Sequence, residues 1–209
     1  TYLQGANVQR GISYNQATNR VYVVDRNGGP AFVRVLDGDT GALISSLDVT
    51  GVAGGTFAVN MIDVADDGAI YVGNLSTAAN SNFKVYRWAN EAATPTVAFD
   101  GLTNRARTGD TLAVIGSGAN TLIVAAGGST AGQHYALLST ADGLTYTASN
   151  PAAAGAATGA FRLGIDFAGA ATVLGKQTSS NLTSASGGMA TSFAMTSAGE
   201  APIAFDAVG

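Results

Sequence analysis

A repeat of about fifty residues constrains this chain more than any other feature of its sequence. The first β-like run of each unit is anchored by an apolar residue, and successive anchors are 50, 52 and 51 residues apart: Ile12, Ile62, Val114 and Ile165. The second run keeps nearly the same spacing through Val21, Ile70, Leu122 and Thr172. Because two independent sets of positions keep one period, we expect one structural unit to occur four times.

Each unit contains four short runs rich in β-branched and aromatic residues. In the first unit these runs are residues 11–14, 21–25, 32–36 and 43–47. Glycine, asparagine and aspartate separate the runs, which is typical of strands joined by hairpin turns. No segment has a sustained apolar period of 3.6 residues with helix caps. The sequence therefore predicts an all-β protein.

Four antiparallel strands in a repeat of this length are typical of one blade of a β-propeller. A four-stranded sheet with two apolar faces must stack on neighbours to bury both of them. We therefore predict a single repeat domain over residues 1–209, with about four blades and a partial fifth. The approximate blades are residues 8–50, 56–100, 108–149 and 158–196, followed by a terminal strand at 201–209. A β-sandwich built from the same hairpins is the alternative.

Several segments resemble blades of known secreted bacterial propellers. Residues 10–18, 21–25 and 36–41 look like blades of the YVTN and PQQ-like type, in which Asp-x-x-Thr-Gly forms a tight hairpin. Residues 65–72 and 86–91 resemble an uncharacterised family of secreted bacterial propellers. The turn at 140–146 is similar to the Asp-box of sialidase-like propellers, with Tyr146 at the aromatic position. The resemblance implies a fold rather than a function, because propellers have many functions.

The composition excludes some classes of partner. Only 11% of the residues are charged and the net charge is −4, so no basic patch is available for nucleic acid. There is no cysteine, which rules out disulfides and thiolate zinc sites. No apolar run is long enough to span a membrane. With no signal segment at Thr1, we expect a mature extracellular or cell-surface chain, or a piece of a longer one.

Two aspartates are candidate metal ligands. Asp37 and Asp39 begin a run that resembles the start of a calcium loop. An EF-hand loop beginning at Asp37 needs glutamate at position 12, where this chain has Asp48. A hairpin turn is the competing interpretation of Asp37, Asp39 and the similar pair Asp66 and Asp67. The sequence predicts no cofactor.

Arg87 and Trp88 are candidate ligand-binding residues, because an indole ring and a guanidinium group can stack on a sugar. The competing interpretation of Trp88 is a core residue packed on the next blade. His134 is the only histidine, so a Ser-His-Asp triad would have to use it. We predict instead a solvent-facing histidine at the end of a strand. The only two glutamates, Glu91 and Glu200, fall in predicted loops and do not indicate a glycosidase pair.

The leading functional hypothesis is a non-enzymatic extracellular structural or interaction module. Its expected partners are other copies of itself or other surface proteins, joined through the strands at the two ends of the chain, which carry little charge. A carbohydrate-binding or adhesion module acting on polysaccharide is the alternative, and a glycan-active enzyme is a further one. Asn74 and Asn181 match the N-glycosylation pattern, whose use depends on the source of the protein.

Overall fold

The computed structural model describes residues 8–26, 32–128, 133–151, 154–155, 159–177 and 181–194. Within these ranges the regular structure consists of β-strands and one 3-10 turn at Gly118–Asn120. Four sheets follow one another along the chain, and each contains a four-stranded antiparallel meander whose strands pair in chain order. The predicted all-β class is confirmed. The predicted terminal strand at 201–209 lies outside the described residues, as do residues 1–7.

Each sheet corresponds to one sequence repeat, and we call the sheets blades 1 to 4. Blade 1 contains β1 (Gln9–Asn15), β2 (Arg20–Asp25), β3 (Phe32–Asp37) and β4 (Leu43–Ser46). Blade 2 contains β5 (Phe57–Val64), β6 (Ile70–Leu75), β7 (Phe83–Trp88) and β8 (Thr96–Gly101). Blade 3 contains β9 (Thr108–Ile115), β10 (Leu122–Gly127), β11 (Ala136–Thr140) and β12 (Tyr146–Ser149). Blade 4 contains β13 (Ala154–Gly155), β14 (Gly164–Phe167), β15 (Thr172–Lys176), β16 (Asn181–Ser186) and β17 (Met189–Ala194).

The blades stack in series, with their first long strands β1, β5, β9 and β14 next to one another. This is the arrangement of a β-propeller, and it differs from the two facing sheets of the alternative sandwich. Over the residues that the structure describes, the four sheets do not close into a ring. No helix in the described part of the chain has the length and apolarity needed to cross a lipid bilayer.

Three apolar clusters join consecutive blades. The cluster between blades 1 and 2 includes Ile62, the one between blades 2 and 3 includes Val114, and the one between blades 3 and 4 includes Ile165. These anchors of the repeat therefore all point toward the preceding blade. We call that side of each blade its leading face, and the opposite side its trailing face.

The leading face of blade 1 contains the fourth anchor, Ile12. Ile12 pairs with Val23, whereas the neighbouring Tyr22 and Val24 point into the cluster with blade 2. The side chains at 12 and 23 therefore lie on the side away from blade 2. Ile12 differs from its counterparts in exposure. The side chain of Ile12 is 67% exposed, whereas those of Ile62, Val114 and Ile165 are 2%, 8% and 5% exposed.

Blade 4 departs from the sequence prediction at its start. The predicted fourth blade begins at residue 158, but Ala154–Gly155 lies before that point, pairs in parallel with β17 and adds a fifth strand to this sheet. The first long strand, β14, begins at Gly164. Phe161 instead inserts between blades 3 and 4, where it is fully buried.

The turn at 140–146 is organised by one carboxylate, as its resemblance to an Asp-box implies. Asp142 Oδ1 accepts hydrogen bonds from the backbone N–H groups of Leu144 and Thr145, both at 2.8 Å. These donors hold the pKa of Asp142 well below its usual range. Tyr146, at the end of the turn, shares a 2.8 Å hydroxyl hydrogen bond with Tyr71 of blade 2. The turn therefore positions a contact between two blades.

Candidate functional site

The first long strands of the four blades line a cavity of about 660 Å³ on the inner side of the stack. Such a volume lies within the range of small-molecule sites in proteins. Every blade contributes to its walls, which carry three arginines and three aspartates: Arg10, Arg107, Arg162, Asp63, Asp110 and Asp166. We call this space the axial cavity.

Asp63 is held by hydrogen bonds from three blades. Its Oδ1 accepts hydrogen bonds from Ser13 Oγ at 2.8 Å and from the Val64 N–H at 2.9 Å. Its Oδ2 accepts one from the Val114 N–H at 2.7 Å, so this carboxylate links blades 1, 2 and 3. Burial raises the pKa of Asp63 to about 6, and the nearby charge of Asp166 adds to the rise while the hydrogen bonds oppose it.

Asp110 holds two of the three arginines. Arg107 donates to it through Nε at 2.5 Å and Nη2 at 2.6 Å, in the bidentate geometry that guanidinium and carboxylate groups favour. Arg162 Nε lies 3.3 Å from Asp110 Oδ2. One carboxylate of blade 3 thus orients an arginine of its own blade and an arginine that precedes β14 of blade 4.

The chain matches, over residues 6–198, the model of a family described as a domain of unknown function, DUF4623. The chain belongs to the DUF4623 family. No curated protein sequence matches it. Its structure is similar to the crystal structure of a DUF4623 family protein from Bacteroides eggerthii, at 23% identity and a TM-score of 0.68. That similarity covers 90% of this chain and 45% of the Bacteroides chain, so this chain spans less than half the length of that relative.

Two further structures share the fold of this DUF4623 domain. A gluconolactonase from Xanthomonas campestris, XC5397, has 13% identity and a TM-score of 0.50, with 94% of this chain and 78% of that chain covered. YCF48 bound to D1 peptide has 10% identity and a TM-score of 0.53, with 93% and 55% covered. Both neighbours are propeller-like proteins. At these identities the likeness extends to the fold alone.

The two candidate metal ligands lie in the turn between β3 and β4 of the DUF4623 domain. Asp37 Oδ1 accepts hydrogen bonds from the Thr40 N–H at 3.0 Å and Thr40 Oγ1 at 2.8 Å. These bonds lower the pKa of Asp37. Asp39 Oδ2 accepts a hydrogen bond from Asn19 Nδ2 at 2.9 Å. Both carboxylates therefore fix the turn, and the described residues contain no group of three potential His, Cys, Asp or Glu metal ligands.

The candidate sugar-binding pair is not a surface platform. Trp88 is fully buried in the cluster between blades 1 and 2, and its Nε1 donates a hydrogen bond to the Asp48 carbonyl oxygen at 2.7 Å. Arg87 Nε donates to Tyr71 Oη at 3.2 Å. An indole with no exposed surface cannot stack on a sugar, and the structure brings neither residue to the axial cavity.

The prediction of a solvent-facing His134 is wrong. His134 is buried, its ring stacks on Phe161 with centroids 4.9 Å apart, and its Nδ1 lies 2.7 Å from the Gly159 carbonyl oxygen. Glu91 accepts a hydrogen bond from Tyr22 Oη at 2.8 Å, while Glu200 lies outside the described residues. Burial of the aromatic segment before β14, which the sequence alone does not locate, accounts for the position of His134.

The two glycosylation motifs lie at strands. The Asn74 side chain is buried, and its Oδ1 accepts a hydrogen bond from the Lys84 N–H at 2.9 Å. An asparagine so enclosed is inaccessible to a transferase in the folded domain. Asn181 begins β16.

Sequence reasoning missed the residues of the axial cavity. One available signal was that Asp63 and Asp166 each follow an anchor of the repeat, Ile62 and Ile165, by one position. A strand places successive side chains on opposite faces, so a polar residue directly after an interface anchor points away from the preceding blade. For Asp63 that position faces blade 3, where it accepts a hydrogen bond from the Val114 N–H at the edge of the cavity. The arginines lack any comparable signal.

The raised pKa of Asp63 predicts a specific pH dependence of stability. Asp63 titrates near 3.8 when unfolded and near 6 when folded, so the folded state binds this proton more tightly. The contribution of Asp63 to stability is therefore complete below about pH 4 and is lost as the pH rises through about 6. The loss is at most about 3 kcal/mol, because one pKa unit corresponds to about 1.4 kcal/mol.

Urea unfolding of the wild type and of Asp63→Asn between pH 4 and pH 7 measures this contribution. The wild type should lose stability across that range more steeply than the variant, in which residue 63 does not titrate. Carboxylates with lowered pKa, such as Asp37 and Asp100, act in the opposite sense but below this window. Parallel curves for the two proteins would mean that Asp63 is an ordinary carboxylate.

Proposed function

We propose that this DUF4623 domain is a non-enzymatic interaction module, located outside the cell or at its surface, that binds a second copy of itself. The leading face of blade 1, on which Ile12, Tyr14 and Leu43 are exposed, carries the proposal. Low charge, the absence of cysteine and the resemblance to secreted propellers support the location. Antibody labelling of intact cells tests it, and labelling only after lysis would contradict it.

The leading face of blade 1 has the chemistry of a blade interface. Ile12, Tyr14 and Leu43 on this face are all exposed large apolar residues. The register places Tyr14 opposite Val21, Val21 opposite Leu36, and Leu36 opposite Leu43, so these four side chains form one row across the sheet. The leading faces of blades 2, 3 and 4 are each covered by the trailing face of another blade. A trailing face is therefore the surface that best fits this one.

The trailing face of blade 4 is the available complement. Leu182 pairs with Phe193 on this face, and Phe193 is an exposed large apolar residue. Contact between blade 4 of one copy and blade 1 of the next is head-to-tail. Such a contact closes into a ring or extends into a filament, depending on the rotation between copies. Both outcomes remove a solvent-exposed apolar surface.

Non-enzymatic action is supported by what the candidate catalytic groups do. His134 is buried against Phe161, and Glu91 is hydrogen-bonded to Tyr22. The carboxylates of Asp37 and Asp142 organise turns. These groups have structural partners in the described part of the chain.

Charged substitutions on the two faces test the assembly. We expect the wild-type chain to sediment as a dimer or larger species at tens of micromolar, against a monomer of 20.8 kDa. Ile12→Lys and Phe193→Lys should each give folded monomers, because a lysine at either face must be desolvated when the blades meet. Both side chains are exposed, so neither change should disturb the fold.

Leu144→Lys is the matched control, because Leu144 is an equally exposed apolar residue in the turn of blade 3, away from both faces. It should leave the assembly intact. A wild type that sediments as a monomer contradicts self-association. Loss of assembly in Ile12→Lys but not in Phe193→Lys would show that a surface other than the blade 4 trailing face covers blade 1.

A further inference from the structure

Two arginines of the axial cavity have hydrogen-bond donors that no described residue uses. Arg10 on β1 is exposed and forms neither an ion pair nor a hydrogen bond with the described part of the chain. Arg162 engages Asp110 through Nε at 3.3 Å, and its side chain is 48% exposed. The terminal nitrogens of Arg162 remain available. One arginine comes from the first blade and the other from the segment leading into the last.

The acceptors of the cavity are, by contrast, already engaged. Asp63 accepts three hydrogen bonds, and Asp110 accepts two from Arg107 and forms an ion pair with Arg162. Asp166 Oδ1 accepts from the Phe167 N–H at 2.8 Å. The groups of the walls that still lack a hydrogen-bond partner are therefore mainly the N–H donors of Arg10 and Arg162. A ligand that fits the cavity must supply hydrogen-bond acceptors.

The positive charge near Arg10 also favours an anionic ligand. Arg26 lies close enough that the positive charge of Arg10 adds to burial in lowering the pKa of Arg26. Two guanidinium groups that affect each other in this way raise the electrostatic potential near Arg10. An anion entering the cavity beside Arg10 relieves that repulsion, whereas a cation would increase it.

We propose that the axial cavity binds a small organic anion through a carboxylate held between Arg10 and Arg162. Guanidinium groups match the planar, two-oxygen geometry of a carboxylate better than a lysine would. A volume of about 660 Å³ holds a molecule of the size of a sugar acid. The aliphatic side chains of Ile12 and Met61 line the same space and can contact the carbon skeleton.

This site can be tested separately from self-association. It depends on Arg10 and Arg162, whereas the proposed assembly depends on the exposed apolar side chains of blades 1 and 4. Ile12 belongs to both surfaces, so the separation rests on Phe193. The two proposals can therefore fail separately. Phe193→Lys, a substitution on the blade 4 trailing face, should leave the anion site intact and provides monomeric protein if the wild type assembles.

Calorimetric titration with D-glucuronate, D-glucose and inorganic phosphate tests the site. We expect saturable binding of glucuronate and none of glucose, which has a similar size but no carboxylate. Arg10→Gln and Arg162→Gln should each weaken glucuronate binding by at least about tenfold, the range for losing a hydrogen bond to a charged group. Arg10→Lys should have an intermediate effect, because it keeps the charge but loses the planar fork.

Arg87→Gln is the matched control, since Arg87 lies outside the cavity and should bind glucuronate like the wild type. Thermal melting of every variant establishes that it is folded. Equal binding of glucuronate and glucose, or no binding of glucuronate, overturns the proposal. So does phosphate that binds as tightly as glucuronate, because the site then recognises charge without the carboxylate geometry.

Discussion

Replacing Trp88 with alanine should lower the free energy of unfolding by about 3–5 kcal/mol, the range for removing a large buried aromatic side chain. Trp88 is fully enclosed between blades 1 and 2, where Tyr22 and Val24 belong to the same cluster. Its removal leaves a cavity in that interface and also leaves the Asp48 carbonyl oxygen without its 2.7 Å hydrogen bond. Urea unfolding at neutral pH measures the loss.

Two comparisons make the Trp88 result specific. Trp88→Phe keeps most of the apolar volume but loses the indole N–H, so it should destabilise the domain less than alanine does. Leu144→Ala removes an exposed apolar side chain and should change stability by no more than about 0.5 kcal/mol. If Trp88→Ala unfolded at the wild-type urea concentration and instead lost binding to glycans, Trp88 would be a surface platform and its place in the core would be wrong.

The repeat predicted most of the fold because each unit carries its own strand and turn signals. The strands of blade 1 lie within the predicted residues 8–50, and those of blade 3 within 108–149. The weakest agreement is in blade 4, where residues 151–163 contain much alanine and glycine and few side chains that favour one conformation. There the short strand Ala154–Gly155 depends on pairing with β17, which is distant in sequence.

Exposure was harder to predict than secondary structure. Ile12 has the same place in the repeat as Ile62, Val114 and Ile165, but it differs from them because its blade has no described blade before it. His134 shows the reverse case, since its burial depends on Phe161 and Gly159, more than twenty residues away. Local sequence specifies which face of a strand is apolar, while the neighbouring blade decides whether that face is covered.

The axial cavity illustrates a further limit of sequence analysis. Its polar residues come from four repeats, and each one taken alone looks like an ordinary charged residue near a strand. Asp63 links three blades only because the Ser13 hydroxyl and the Val114 N–H reach its carboxylate from the blades on both sides. Convergence of this kind follows from how the blades stack. It therefore cannot be derived from the spacing within any single repeat.

Phe161→Ala should also lower the free energy of unfolding by about 3–5 kcal/mol, because this fully buried ring joins blades 3 and 4. The ring stacks on His134 at 4.9 Å and on Tyr135 at 5.8 Å between centroids. It lies directly over Gly175, where an added Cβ would come within 1.8 Å of Phe161 Cγ. Gly175→Ala should therefore destabilise by about 1–3 kcal/mol or more through overpacking.

The double variant that combines Phe161→Ala with Gly175→Ala tests whether the two losses of stability have one cause. With Phe161 reduced to alanine, the added methyl group at residue 175 occupies space that the ring has left. The double variant should then be more stable than the sum of the single losses predicts, by at least about 1 kcal/mol. Gly169→Ala is the control, since its Cβ meets no atom within 4 Å and its cost arises from a φ of 99°. That cost should add to the loss from Phe161→Ala.

Additive losses for Gly175→Ala and Phe161→Ala would mean that the ring does not lie on the glycine. The result also bears on the axial cavity, because Arg162 directly follows Phe161 and Thr111 of the cavity wall donates a hydrogen bond to the Phe161 carbonyl oxygen. The buried ring thus positions the backbone from which Arg162 extends. In Phe161→Ala, which retains both cavity arginines, weaker glucuronate binding in still-folded protein would identify Phe161 as a positioning residue for that site.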